Sequence, residues 1–118
     1  MTRKGYQAEY EAKQKLIKEF GFHNVFKNAI SNQGSDYMVF AKGRLVKCVE
    51  VKECHQKKYY CTPEERSQFV RIKAFCDEHN IKCELWIKYV GIKGRKVCWS
   101  TEYIDDYVEK TLKVVNNI

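Results

Sequence analysis

The sequence predicts an α/β fold in which a mixed five-stranded sheet is flanked by helices. Three observations predict it. Apolar residues recur at helical spacing in the opening, middle and closing stretches. Runs rich in Val, Ile, Tyr, Phe and Trp lie between those stretches. Turns separate the runs, giving the order α-β-β-β-α-β-β-α.

The first helix is expected over 5–20, because Ala12, Leu16, Ile17 and Phe20 share a face and Gly21 is placed to end it. A strand over 24–29 follows, then a polar loop, Ser31-Asn32-Gln33-Gly34-Ser35. Residues 36–41 and 45–52 flank Lys42-Gly43-Arg44 and read as a β-hairpin. A charged loop carrying cysteine and tyrosine spans 53–61. Thr62-Pro63-Glu64-Glu65 combines a cap, a first-turn proline and a capping-box glutamate, so a second helix should run to about His79. Its buried stripe would hold Phe69, Ile72, Phe75 and Cys76. Strands over 82–89 and 96–100 are joined through Gly91-Ile92-Lys93-Gly94. The segment 102–115 has amphipathic helical spacing through Tyr103, Tyr107, Val108, Leu112 and Val115. Trp86, Trp99, Phe40 and Met38 are most simply core or interface residues.

The 118 residues fit one domain, 1–118, and a hydrophobic fraction of 44% supports a core. No apolar run approaches the ~20 residues that span a bilayer, and the first residues lack a signal-peptide stretch. A soluble, cytoplasmic protein with no membrane partner is expected, acting inside a host cell if virus-encoded. Twenty-two Lys and Arg against fifteen Asp and Glu leave a net charge of +7, which favours phosphate-rich partners. Cys48, Cys54, Cys61, Cys76, Cys83 and Cys98 form no C-x-x-C pair. A metal shared by Cys54, His55 and Cys61, or by Cys76, His79 and Cys83, is one reading, but scattered thiols and small hydrophobes are the better one.

Charges stand where a purely structural sequence would put apolar groups. Glu9 extends the Ala12–Leu16 stripe of the first helix. An ionised carboxylate there needs a cation or hydrogen bonds, although a glutamate near a helix start is also favoured by the helix dipole. In the hairpin, a three-residue connection would put Asp36 on one face with Cys48, Glu50 and Lys52, close to Glu50. Opposed Cβ atoms lie ~5 Å apart, so two carboxylates there want a cation between them. Mg²⁺, or Mn²⁺ in its place, suits such an oxygen site. Lys52 adds an ammonium that can orient water or stabilise charge growing on a phosphorane. The plainer alternative is a solvated face without a joint role, and a two-residue connection would break the parity.

Asp36, a short hairpin and Glu50-Val51-Lys52 resemble the core of the PD-(D/E)XK nucleases. The opening Arg3-Lys4-Gly5-x-Gln7-Ala8-Glu9-x-Glu11 is similar to the start of archaeal Holliday-junction resolvases. The Gly21-Phe22 exit, the loop before Asp36 and Arg71-Ile72-x-x-Phe75 fit as well, so the resemblance covers residues 3–100. Ser35 stands where the motif has proline, and the loop from Cys54 to Cys61 is unlike the family.

This resemblance implies a restriction-endonuclease-like fold and a Mg²⁺-dependent homodimer that makes paired cuts in branched double-stranded DNA at four-way junctions. By position, Asp36 and Glu50 become metal ligands, with the Val51 carbonyl a third. Glu9 completes or assists the metal site, Lys52 serves the water or transition state, and Ser31 lies near the family's loop serine. Candidate DNA contacts are Arg3 and Lys4 at a helix start, Lys57, Lys58, Tyr59 and Tyr60 as a basic stacking loop, and Lys93, Arg95 and Lys96 on the second hairpin. Two alternatives stay open: another restriction-like or repair nuclease, and a non-catalytic basic DNA-binding module.

Overall fold

The structure is a computed structural model that describes residues 6–28, 34–94 and 98–108. Its elements are α1 (Tyr6–Phe20), β1 (Val25–Lys27), β2 (Tyr37–Ala41), β3 (Arg44–Cys54), α2 (Pro63–Glu78), β4 (Cys83–Tyr89) and β5 (Trp99–Tyr103). A short 3-10 turn, Phe22–Asn24, links α1 to β1. The sheet order is β1-β2-β3-β4-β5; β3 and β4 are parallel and the other neighbours antiparallel. The fold is therefore the expected mixed five-stranded sheet flanked by helices.

Strand alternation divides the core between two faces. Ala8, Ala12 and Leu16 of α1 pack on Tyr37, Val39, Val49 and Val51. On the other face, Phe69, Ile72 and Cys76 of α2 join Cys48, Cys54, Cys83, Leu85 and Ile87. Central β3 feeds both clusters, and Cys48 to Val51 are buried in succession. A strand covered on both sides reads as an unbroken apolar run, so a glutamate at position 50 is conspicuous.

Local signals account for the element ends. Gly21, at φ 94°, donates its N–H to the Ile17 carbonyl at 2.8 Å and stops α1. The capping box of α2 is complete: Thr62 Oγ1 accepts from Glu65 N–H, and Glu65 Oε1 accepts from Thr62 N–H. Tyr37 donates its hydroxyl to the Glu9 carbonyl at 3.2 Å, tying β2 to the first turn of α1.

Two boundaries depart from expectation. The last strand runs on to Tyr103 beyond the expected end at Ser100, because β4 pairs along its length, from Lys88↔Trp99 to Glu84↔Tyr103; residues 96 and 97 lie outside the described residues. Helical backbone begins only at Asp105 and is described to Val108; the rest of the expected 102–115 helix lies outside the described residues. Tyr103 carries β propensity that a helical reading of its neighbourhood overrode.

The hairpin between β2 and β3 departs instructively. Ala41 pairs with Arg44, so the connection holds two residues, Lys42 and Gly43, both at positive φ (51° and 76°), as a type I′ turn requires. That length would turn Asp36 away from Glu50. A bulge reverses it: Phe40 pairs with Leu45 but Val39 pairs with Lys47, leaving Val46 extra. Continuing the register past Tyr37↔Val49 brings Asp36 opposite Glu50. The left-handed backbone at Lys42 suits asparagine better than lysine. Lys42→Asn is expected to stabilise the fold by up to about 1 kcal/mol, seen as a melting temperature raised by a few degrees.

Candidate active site

Four elements deliver the charges. Asp36 sits at the entrance to β2, Glu50 and Lys52 project from β3, Glu65 lies in the first turn of α2, and Glu9 lies in the first turn of α1. Glu50 is 1% exposed. Its Oε1 accepts the Asp36 N–H at 3.0 Å, and Asp36 Oδ2 in turn accepts the Val51 N–H at 2.7 Å. Lys52 Nζ stands 3.3 Å from Glu50 Oε2 and 3.2 Å from Glu65 Oε2. Ser35, in the motif's proline position, is buried and donates its hydroxyl to the Tyr37 carbonyl at 3.0 Å, fixing the turn before β2.

The electrostatics follow from burial. Burial, then the neighbouring Asp36 charge, pushes the Glu50 carboxyl up to about 8 despite the opposing pull of Lys52. Asp36 is also raised by burial; the Val51 N–H counteracts this, while the Glu9 charge adds to it. Burial alone would lower Lys52, yet Glu50 and Glu65 together hold it above its ordinary value. Glu65 ends below the ordinary carboxylate value, because the Thr62 N–H and Lys52 outweigh its partial burial.

Two adjacent carboxyls, one buried and one half-buried, resist ionising together unless a cation joins them. Their donors are all oxygen, which fits a hard divalent cation. The Val51 backbone enters through its N–H. In an extended strand the carbonyl of the same residue faces the same neighbour, so it too lies on the Asp36 side.

Glu9 stands differently from expectation. Its carboxylate is 35% exposed and pairs with Lys27 Nζ at 3.6 Å. Among the described residues, no three His, Cys, Asp or Glu side chains form a group that could hold a metal ion. The fold thus supplies a pair, Asp36 and Glu50, with Glu9 acting on Asp36 through its charge. Mg²⁺ commonly takes one or two carboxylates and keeps several waters, so a pair is a sufficient donor set.

Lys57, Lys58 and Lys93 are exposed, and Lys58 lies 5.6 Å from the centroid of the 68%-exposed Tyr60 ring. Tyr59 is a correction: it is 7% exposed and packs edge-on against Tyr107, so its ring is not available for stacking on a base. The C-terminal segment supplies the apolar wall that Tyr59 fills. Arg3, Lys4, Ser31, Arg95 and Lys96 lie outside the described residues. Cys54 and Cys61 are buried and donate to backbone carbonyls, as befits small core thiols.

One consequence concerns pH. Between its ordinary value of 4.5 and about 8, native Glu50 holds a proton that the unfolded chain releases. Its contribution to stability therefore falls as pH rises through that window. Glu50→Gln should be more stable than the parent at pH 8.5, on the order of 2 kcal/mol, with the gain vanishing near pH 4.5. Denaturant melts at the two pH values measure this. A variant less stable at both would contradict the assignment.

No protein-family model and no curated protein matches the chain. Among solved structures, the chain is similar to Archaeoglobus fulgidus Hjc, a Holliday junction resolvase from an archaeal hyperthermophile. The TM-score is 0.61 at 16% identity, covering 86% of this chain and 73% of that one. At that identity the likeness establishes a common, resolvase-like fold.

Proposed function

We propose that this chain is a Mg²⁺-dependent endodeoxyribonuclease that resolves four-way DNA junctions by paired phosphodiester hydrolysis, working as a homodimer. The carrying observation is the buried Glu50 carboxyl joined to half-buried Asp36 at the entrance to β2, with Lys52 beside it, in a resolvase-like fold. A binding module has no use for two carboxylates held at such cost in one pocket. The basic balance of the chain and the exposed Lys57, Lys58 and Lys93 suit a phosphate backbone read by shape.

In this reading Asp36, Glu50 and the Val51 carbonyl would hold the ion. Bound there, Mg²⁺ or Mn²⁺ would supply a water of lowered pKa and neutralise charge on the phosphate. Lys52 donates to the attacking water or to the non-bridging phosphate oxygens, where negative charge grows as the new P–O bond forms and the leaving oxygen departs. Glu9 raises the negative potential at Asp36 and so favours cation capture.

Asp36→Ala and Glu50→Ala should each reduce junction cleavage by at least about 100-fold, with junction binding retained in a gel-shift assay. Wild-type rates for Asp36→Ala in Mg²⁺ would refute the site. Comparison of a four-way junction with linear, nicked and flap duplexes tests the substrate: equal rates on linear duplex would identify a nuclease of another specificity. DNA affinity without cutting in either metal would identify a binding module.

A further inference from the structure

The capping box of α2 explains one oxygen of Glu65 and leaves the other to be accounted for. Oε1 accepts the Thr62 N–H at 3.0 Å; Oε2 lies 3.2 Å from Lys52 Nζ, across from Glu50. Capping-box glutamates commonly face water. Here the Glu65 and Lys52 side chains are only 22% and 21% exposed, and the Phe69 ring centroid lies 6.0 Å from the ammonium. Tyr59 and Cys61 line the other side of Glu65. Lys52 is thus clamped between a strand carboxylate and a helix carboxylate.

We propose that Glu65 is a positioning residue that shares the Lys52 ammonium with Glu50, so that Glu50 does not hold the amine alone and the amine stays in place when Glu50 takes a cation. With Glu50 as its single partner, the ammonium would settle on that carboxylate and compete directly with any divalent ion. Glu65 draws it toward α2 and retains it when Glu50 turns to another partner. The capping bond anchors Glu65, so the clamp is rigid on the helix side. The consequence for cleavage rests on the nuclease reading above; the clamp itself does not.

Glutamine at position 65 tests this cleanly, because a capping box accepts Glu or Gln. Glu65→Gln keeps the bond to the Thr62 N–H and removes the charge facing Lys52. Exposed Glu64→Gln, on the same helical turn, is the control. Both variants should stay folded, with Glu64→Gln at the wild-type melting temperature and Glu65→Gln lower by a few degrees from the lost ion pair. The Lys52 ammonium signal in ¹⁵N NMR, assigned by its loss in Lys52→Met, should exchange faster with water in Glu65→Gln only. Calorimetric titration should show Mn²⁺ binding about 10-fold weaker in that variant, and single-turnover junction cleavage slower by about 10- to 100-fold at unchanged DNA affinity. An unchanged Lys52 signal in Glu65→Gln would overturn the proposal and reduce Glu65 to a helix cap. Unchanged Mn²⁺ affinity would overturn the claim that sharing the amine eases cation capture at Glu50. If wild-type protein binds Mn²⁺ but cuts no DNA, the nuclease reading fails while the NMR and calorimetric comparisons still decide the clamp.

Discussion

Everything around the centre of this molecule accommodates one carboxylate that water cannot reach. Glu50 lies on the middle strand of the sheet, where its neighbours are Val49, Val51, Cys48 and Leu85. Isolated in such a place, an ionised glutamate would be strongly disfavoured. It persists because the Asp36 backbone donates to it, Lys52 stands against it, and its proton is retained to an unusually high pH. Each of these supports comes from a different part of the chain. The turn before β2, the alternation of β3 and the start of α2 are thereby coupled to one side chain. A buried carboxyl that keeps its proton so tightly is suited to exchange it for a cation, which would offset the cost of ionising it there.

Much of this is readable from residue order. The helices of α1 and α2 declare themselves by apolar spacing, and the Thr62-Pro63-Glu64-Glu65 cap marks the start of α2 to within a residue. Asp36, Glu50 and Lys52 are conspicuous because strand alternation aims charges at a face that should be apolar. What cannot be read are facts set by distant chain segments. Tyr59 and Tyr60 are indistinguishable in sequence, and only Tyr107, nearly fifty residues later, decides which is buried. The partner of Glu9 is Lys27 on an edge strand, which no local spacing announces. The link from Glu65 to Lys52 depends on how α2 is laid across the sheet, so its sequence signature is that of an ordinary cap.

The outer surface tells a consistent story at lower resolution. Exposed lysines on the loop after β3 and on the turn after β4 emerge from neighbouring parallel strands, Cys54 pairing with Tyr89 at their shared end. Both loops therefore leave the sheet on the side toward which Lys52 lies, and a polyanion crossing that end would meet them together. Open α/β sheets place ligand sites beyond the carboxyl ends of their parallel strands for the same reason.

The extra residue at Val46 has a broader meaning. A two-residue turn followed by one unpaired position advances the strand by as much as a three-residue turn followed by none. The two solutions are geometrically equivalent at Glu50, so single insertions and deletions can be traded between hairpin tip and strand without moving the chemistry. Relatives could therefore differ in gap placement across this short stretch while conserving one arrangement in space. A comparison made letter by letter would score that trade as divergence, whereas superposition of the strands would reveal none.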